Sequence, residues 1–466
     1  MIKLFDYFND HSRKLYESFK ASKLEEDLTI VLNDNGFLPD DVISPYQFFA
    51  DNHNTENMKP RFFNQVTVPA FWEIKGNNNS ATINDMGRLR GKIFYQSGER
   101  PRIVSRVEWF DDQQRVRFVD YYSKNGIKFA QTVYDLNRKA ILKKYMTAEG
   151  KEVIYENFVT SDVILDWQGK SYFFPSKLAF VLFFIKQLEI TEHHFVINSL
   201  ALPFSVLYNL PSKGSDVLVW QEHCNGNVPG NMQLMCKGDM KRHCNIIIPD
   251  KNEYETMLNI ADAKVQSRIL QGGYLYNYRS RNRYTKEIVI LTNSDQLRNI
   301  KVLVETLPDF NFHIAAITEM SDKLMQLDQY ANVHLYPSIN IDRVNELYQL
   351  CDIYLDRVNE LYQLCDIYLD INEGNEILNA VEQAFDYELL ILGYRQTAHH
   401  AKVTLSEHLF EHNDEITMES KDQLIQMLES LKDQQQFRDA LLAQKAHAHE
   451  ISREQFEQVF KQALES

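Results

Sequence analysis

Strand-length apolar runs recur at short spacing between Val68 and Phe174, and turn signals such as Lys124-Asn125-Gly126 separate the runs. Within Arg115–Phe118, charged and apolar residues alternate, as they do in a strand with one wet face and one buried face. Regular strands joined by short loops predict an antiparallel meander. The predicted strands are Val68–Ile74, Arg88–Gln96, Arg102–Trp109, Val116–Tyr122, Lys128–Tyr134, Ile141–Met146, Val153–Val159 and Val163–Trp167.

On either side of the predicted meander, strand-length apolar runs alternate with amphipathic helical segments. Strict alternation of this kind predicts parallel sheets with right-handed crossovers, so we expect an α/β fold with two Rossmann-type domains. The polar stretch Tyr274–Lys286 separates the two series, and the tail Lys421–Ser466 is predicted to be helical throughout. The predicted parts are 1–65 with 175–275 as a first Rossmann-like domain, 66–174 as an antiparallel β add-on, 276–450 as a second Rossmann-like domain and 451–466 as a C-terminal helix.

The segment Asp366–Leu392 predicts a strand–loop–helix–strand unit of the second domain. A short apolar run leads into a loop at Glu373-Gly374-Asn375, an amphipathic helix follows, and the run Leu389–Leu392 closes the unit. Open α/β sheets bind ligands at the carboxyl ends of their strands, so this loop is a candidate site. In the first domain the loop Pro229-Gly230-Asn231 follows the predicted strand Asp216–Trp220, and it is a candidate cleft lining for the same reason.

A segment of 14 residues, RVNELYQLCDIYLD, occurs at Arg343–Asp356 and again, unchanged, at Arg357–Asp370. The unit is too short for the common helical solenoid repeats. Its length is close to four helical turns, so an insertion into a helix nearly preserves the apolar face. We predict that the first copy lengthens a helix and that Asp366–Ile371 of the second copy forms a strand. In the alternative, the first copy supplies the strand and the second copy bulges out.

The length of 466 residues predicts two or three domains, and 44% hydrophobic with 12% aromatic residues is typical of a packed globular protein. The net charge of −15 argues against general nucleic-acid binding, which needs a basic surface. The predicted meander has a net charge of the opposite sign, because residues 61–150 hold 16 Lys and Arg against 9 Asp and Glu, a net of +7. A basic module favours docking to an acidic partner or an anionic membrane; alternatively, its Lys and Arg only cover the wet face of the strands.

The 5 cysteines form a sparse, odd set that fits a reducing cytosol. Paired CxxC knuckles are absent around Cys224, Cys236 and Cys244, so we expect no metal and no cofactor. The N-terminal 19 residues predict an amphipathic helix rather than a signal peptide. The most hydrophobic window, Leu178–Ile185, is far shorter than the ~20 residues of a spanning helix. We expect a soluble cytoplasmic protein, with peripheral association at the inner face of the cell membrane as a further possibility.

Four motifs carry a resemblance to a known family. They are Val219-Trp220-Gln221-Glu222, Val228-Pro229-Gly230-Asn231-Met232, Leu291-Thr292-Asn293-Ser294 and Tyr368-Leu369-Asp370-Ile371. Two α/β domains with a helical tail resemble glycosyltransferases of the GT-B fold. With the inserted meander, the chain resembles the paired proteins that attach N-acetylglucosamine to serine-rich repeat adhesins in the accessory Sec pathway, and among these the non-catalytic GtfB family. The resemblance spans essentially the whole chain.

The resemblance implies what an active member would need. Retaining transferases of this fold use two glutamates with seven residues between them and an Arg/Lys pair after the first strand, which stabilises the diphosphate leaving group. Aligning Glu382 with the second glutamate puts Gly374 at the first, while Asn293 falls where Arg is expected and Arg298 where Lys is expected. The resemblance therefore implies no catalytic residue. The candidate acceptor-binding or degenerate donor-cleft residues are Gly230, Asn231, Asn293, Arg298, Gly374, Asn375 and Glu382.

Three functions follow as hypotheses. The leading one is a non-catalytic subunit of a protein O-GlcNAc transferase complex, which binds the serine- and threonine-rich acceptor and stabilises the catalytic glycosyltransferase in a hetero-oligomer. The alternative is an active retaining glycosyltransferase that uses UDP-N-acetylglucosamine. The third is a scaffold or membrane-docking protein that uses the basic meander. No nucleic acid is expected as a partner.

Overall fold

The computed structural model describes the chain except for residues 25–27, 52–57, 78, 97–101, 192, 238–239, 317–318, 338–357, 378, 400–402, 413–421 and 466. The chain divides into two compact units, Met1–Leu275 with Ile451–Ser466, and Tyr276–Glu450. Each unit contains a parallel sheet, and the first also contains an antiparallel sheet. This confirms the predicted α/β fold class with an inserted meander, whereas the four-part domain division stays a prediction.

The first unit contains strands β1 to β17 and helices α1 to α7. The strands are β1 (Ile2–Tyr7), β2 (Leu28–Asn33), β3 (Val42–Ile43), β4 (Glu73–Gly76), β5 (Ser80–Asp85), β6 (Arg88–Tyr95), β7 (Val104–Phe110), β8 (Val116–Tyr122), β9 (Lys128–Tyr134), β10 (Ala140–Met146), β11 (Glu152–Asn157), β12 (Val163–Trp167), β13 (Lys170–Phe174), β14 (Phe195–Ile197), β15 (Ser215–Val219), β16 (His243–Ile248) and β17 (Ile269–Gln271). The helices are α1 (Asp10–Ala21), α2 (Pro45–Ala50), α3 (Lys177–Gln187), α4 (Leu202–Asn209), α5 (Gly230–Lys237), α6 (Lys251–Ile260) and α7 (Ala263–Gln266).

The parallel sheet of the first unit has the strand order β17-β16-β15-β14-β1-β2-β3. The predicted N-terminal helix is wrong over Ile2–Tyr7, which forms β1 at the interior of this sheet, paired with both β14 and β2. Pairing on both sides satisfies the backbone of β1, and burial on both faces suits its apolar run. The helix starts only at Asp10, where the Asn9 side chain accepts a hydrogen bond from the Ser12 backbone N–H and so caps α1.

The antiparallel sheet runs in chain order from β4 to β13. The predicted first strand, Val68–Ile74, is wrong in position, because the strand there is β4, Glu73–Gly76. Pro69 lies in the predicted run, and a proline has no backbone N–H to donate to a ladder. The strands β5 and β13 were not predicted. In β5 only Ala81 and Ile83 are buried, so the period-two signal is short.

The second unit has the strand order β20-β19-β18-β21-β22-β23, with every neighbouring pair parallel. Its strands are β18 (Glu287–Thr292), β19 (Asn311–Ala316), β20 (Val333–Tyr336), β21 (Ile367–Asp370), β22 (Leu390–Tyr394) and β23 (Leu409–Phe410). Its helices are α8 (Ile300–Thr306), α9 (Asp322–Met325), α10 (358–364), α11 (Ala380–Asp386), α12 (Gln423–Ser430) and α13 (Gln434–His447).

The second copy of the duplicated segment forms both α10 and β21. The predicted strand in this copy is therefore confirmed. The predicted lengthening of the helix by the first copy, Arg343–Asp356, lies outside the described residues.

Helix α8 starts at Ile300, so the preceding residues 293–299 form a loop at the end of β18.

The sequence predicted a C-terminal tail that is helical throughout, and this prediction is wrong. Breaks at 431–433 and 448–452 separate α12, α13 and the last helix, α14 (Arg453–Glu465). Phe456 and Phe460 of α14 are buried against Phe19 of α1, with ring centroids 5.4 and 4.8 Å away. The last helix therefore completes the core of the first unit.

Candidate functional site

The candidate site of the second unit lies at the carboxyl edge of its parallel sheet. The loops after β18, β21 and β22 emerge there. This edge is where open α/β sheets bind ligands. The loops contain Asn293, Arg298, Gly374 and Asn375, four of the residues that the sequence singled out.

Asn372 ties the loop after β18 to the loop after β21. Its side-chain Oδ1 accepts hydrogen bonds from the hydroxyls of Thr292 and Ser294, both at 2.9 Å. Its Nδ2 donates to Asn293 Oδ1 and to the Asn375 carbonyl oxygen, both at 3.3 Å. Asn372 is 3% exposed, so this amide uses its donors and acceptor inside the protein.

Asn293 and Gly374 approach each other closely. Asn293 Nδ2 donates to the Asn375 carbonyl oxygen at 3.1 Å. A Cβ atom at Gly374 would overlap Asn293 Oδ1 and lie 3.0 Å from Ser294 Cβ, so a glycine allows the two loops to meet. Gly374 is not among the glycines with positive φ, so the requirement is steric space rather than a left-handed backbone.

Arg298 forms an ion pair within the same edge. Its Nη2 lies 2.9 Å from Glu373 Oε1, and its backbone N–H donates to the Ile371 carbonyl oxygen at 2.9 Å. The Glu373 N–H donates to the Gln296 carbonyl oxygen at 2.9 Å. The guanidinium that the alignment placed at the diphosphate position therefore has a carboxylate of its own chain beside it.

His399, in the loop after β22, was missed by the sequence reasoning. Its Nδ1 lies 2.7 Å from Asp370 Oδ1 and its Nε2 lies 2.8 Å from the Gly374 carbonyl oxygen. Hydrogen bonding to Asp370 raises the pKa of His399 to about 9. Asp370 lies at the end of the buried strand β21 and belongs to the motif Tyr368-Leu369-Asp370-Ile371. No local pattern links it to a histidine 29 residues later.

The remaining predicted residues lie elsewhere. Glu382 is half-buried in the first turn of α11. Gly230 and Asn231 belong to the first unit, at the start of α5 and after β15. Asn231 Nδ2 donates to the Leu200 carbonyl oxygen at 2.9 Å, and the space around Gly230 is open.

At this edge of the second unit, the polar and charged side chains bond to other groups of the same chain. Amides and hydroxyls bond to one another, and the two charged pairs are neutralised locally. Preorganised charges that face a substrate stabilise a transition state; charges that face each other do not.

Among the described residues, no group of three or more His, Cys, Asp and Glu could hold a metal ion. No helix within the described ranges is long and apolar enough to cross a membrane.

Family models match consecutive parts of the chain. A GtfB N-terminal domain model matches residues 2–49, a GtfB middle domain model 72–175 and a GtfB third domain model 177–260. A GftB/GlyA-F C-terminal domain model matches in two pieces, 288–360 and 356–444. The first piece contains the whole of Arg343–Asp356 and the second the whole of Arg357–Asp370.

Several solved structures share the fold. A chain in the crystal structure of the GtfA/B complex bound to UDP and GlcNAc is 38% identical, with a TM-score of 0.86 and 99% of each chain covered. A chain in the crystal structure of accessory secretory protein 1, 2 and 3 of Streptococcus pneumoniae is 10% identical with a TM-score of 0.55, so it shows the fold alone.

Two relatives are similar to this chain over nearly their full length. The UDP-N-acetylglucosamine–peptide N-acetylglucosaminyltransferase stabilizing protein GtfB of Streptococcus pneumoniae serotype 4 is 40% identical over 466 residues, which is 100% of both chains. The protein of the same name in Streptococcus gordonii is 39% identical over 97% of this chain and 96% of its own. The chain therefore belongs to the GtfB family of stabilising proteins.

Proposed function

We propose that this protein is the non-catalytic subunit of a protein O-GlcNAc transferase complex and that it stabilises a catalytic glycosyltransferase of the GtfA kind. The observation that carries the proposal is the edge of the second unit, where Asn372 joins the loops after β18 and β21 and Arg298 pairs with Glu373 of its own chain. The names of the relatives and the likeness to a chain of the GtfA/B complex support it.

The test compares the chain alone with the chain bound to its catalytic partner. Purified alone, it is expected to transfer no N-acetylglucosamine from UDP-N-acetylglucosamine to a serine- and threonine-rich peptide. Co-expression is expected to raise the soluble yield and thermal stability of the partner and to give transfer. Robust transfer by the isolated chain that Glu382→Ala abolishes would establish the alternative, an active retaining transferase.

We further propose that the complex modifies a serine-rich repeat adhesin of the accessory Sec system in the cytoplasm and that this subunit binds the unmodified acceptor. Asn231 and Gly230 support an acceptor contact, since they lie at the carboxyl side of β15 with open space around Gly230. Amides and backbone groups suit a neutral Ser/Thr-rich peptide better than a phosphate. The proposed residues of the degenerate donor cleft are Asn293, Arg298, Gly374, Asn375 and Glu382.

Acceptor binding is tested by capture on an immobilised Ser/Thr-rich peptide. Asn231→Ala is expected to weaken capture by the intact complex. The matched control is Asn209→Ala, because Asn209 is also an exposed helical asparagine that donates to a backbone carbonyl oxygen, that of Ser205 at 2.8 Å. Equal capture by the wild type and both variants would remove Asn231 from the proposed acceptor site.

Peripheral membrane association is a finer part of the proposal. Antiparallel hairpins place alternate loops at the same end of the meander, and four exposed apolar side chains lie at one such end. These are Phe71, Met86, Leu136 and Val159, which are 97%, 95%, 56% and 66% exposed. Sedimentation with anionic vesicles at low salt is expected, and Phe71→Ser with Met86→Ser is expected to reduce it. No sedimentation at low salt would exclude this part.

A further inference from the structure

The second copy of the duplicated segment fills one position in the second unit, which we call the helix–strand seat and which comprises α10, β21 and the two residues between them. The apolar side chains of the seat lie in the core: Val358, Leu361, Tyr362, Cys365, Ile367, Tyr368 and Leu369 are each at most 6% exposed. Strand β21 pairs with β18 and β22. The seat is therefore required for a continuous sheet.

Polar contacts fix the seat as well. Arg283 Nη2 donates to the carbonyl oxygens of Gln363 and Leu364 at 2.9 and 2.7 Å. The buried Asp366 carboxylate accepts hydrogen bonds from the backbone N–H groups of Arg283 and Thr285, at 2.5 and 2.6 Å. All of these contacts are made by residues between Val358 and Asp370, and each such residue has an identical counterpart 14 positions earlier.

We propose that the two copies compete for this one seat, so that Arg343–Asp356 is a second sequence able to occupy it. With the first copy seated, the side chains would make the same contacts, since the sequences are identical. The surplus segment would then follow β21 instead of preceding α10. The entropy of closing a loop depends mainly on its length, and the surplus is 14 residues in either arrangement.

The residues after β21 explain why the second copy is seated. Ile371 continues directly from the strand, and its carbonyl oxygen accepts from the Arg298 N–H at 2.9 Å. Asn372 then joins the loops after β18 and β21. With the first copy seated, the chain would have to leave at Asp356, loop out and return at Ile371 without disturbing these bonds. The two arrangements therefore differ in two connections: the one before the seat loses the surplus 14 residues, and the one after it gains them.

The experiment uses full-length chains with Leu369→Asp, Leu355→Asp and both changes together. Leu369 is 1% exposed in β21, so an aspartate there cannot remain in the core. Leu355 is its counterpart in the first copy. Leu355→Asp is expected to leave the thermal midpoint of the second unit unchanged. Leu369→Asp is expected to lower the midpoint by less than half as much as the double substitution, because the first copy takes the seat. Equal losses in Leu369→Asp and the double variant would overturn the proposal.

Cysteine accessibility gives an independent readout of which copy is seated. Cys365 is 3% exposed, and burial raises the pKa of its thiol, so it is expected to resist a maleimide in the wild type. In Leu369→Asp the protection is expected to move to Cys351. Cleavage after Arg343 and Arg357 leaves the two cysteines in different peptides, which mass spectrometry separates. Protection of Cys365 in folded Leu369→Asp, with Cys351 still reactive, would contradict an exchange.

Discussion

His399 is bonded twice to Asp370, through its backbone N–H to Oδ2 at 2.6 Å and through its ring Nδ1 to Oδ1 at 2.7 Å. The opposite ring nitrogen lies 2.8 Å from the Gly374 carbonyl oxygen. Only a protonated imidazole can donate from both nitrogens at once. The cation therefore fastens the glycine loop to the end of β21, at the edge where a ligand would otherwise bind.

The first prediction concerns pH. Hydrogen bonding to Asp370 raises the pKa of His399 to about 9, above the ~6.5 expected for the unfolded chain. The stabilisation is therefore fully present below about pH 6.5 and is lost as the pH rises through 9. Full linkage gives about 3 kcal/mol, and partial solvent screening reduces the expectation to roughly 1–2 kcal/mol. Denaturant unfolding of the second unit should show this loss in the wild type and much less of it in His399→Ala.

His408 provides an internal control with the opposite sign. Burial lowers the pKa of His408 to about 4. The folded state favours the neutral imidazole of His408. Its contribution to the free energy of unfolding is therefore fully present above about pH 6.5 and is lost as the pH falls toward 4. His399→Ala should leave this acid loss unchanged. If His399→Ala altered the acid limb as much as the alkaline limb, the assignment to the His399–Asp370 pair would be wrong.

The second prediction concerns Gly374. Gly374→Ala should destabilise the second unit by about 1–3 kcal/mol, because the new methyl group would overlap Asn293 Oδ1. Gly230→Ala is the matched control, since nothing lies within 4 Å of a Cβ atom there and alanine favours the helix that it begins. Thermal melts of both variants measure the difference, and equal midpoints would contradict the close approach.

A double variant separates steric overlap from other effects of the alanine. Asn293→Ala removes the oxygen that the new methyl group meets, so the double variant should recover part of the stability that Gly374→Ala loses. The two residues are in contact, and their effects should therefore not add. Strict additivity would mean that the cost of Gly374→Ala arises elsewhere.

The period-two and helical patterns predicted the sheets because they report burial, which dominates the fold. They failed where context decides. Ile2–Tyr7 has the composition of either element, and pairing with β2 and β14 makes it a strand. The contacts of Asn372 and His399 join loops that are distant in sequence, so no local spacing encodes them. The resemblance predicted Asn293 and Gly374 as candidate site residues, but only the structure shows that the two lie in contact.

The third prediction concerns Asn372 as the hydrogen-bond centre of the edge. Asn372→Ala should cost about 1–3 kcal/mol, because it leaves the hydroxyls of the buried Thr292 and the half-buried Ser294 without their acceptor. The expected local signature is faster amide exchange at Glu373 and Arg298, whose N–H groups donate across the two loops. Exchange in the first unit should not change, and unaltered exchange at both amides would show that the loops are held by other contacts.

The fourth prediction concerns the last helix. Phe460 is 1% exposed and its ring centroid lies 4.8 Å from that of Phe19, so Phe460→Ala should cost the first unit about 3–5 kcal/mol. Leu442→Ala is the control, since Leu442 of α13 is 61% exposed and its loss should change stability by no more than about 0.5 kcal/mol.

Hydrogen exchange followed by peptide mass spectrometry reports each unit separately. Deprotection is expected in α1 and β15 for Phe460→Ala, with α13 and β22 unchanged, because α14 completes the core that contains Phe19 and Val217. Deprotection confined to residues 276–450 would place the helix with the second unit instead.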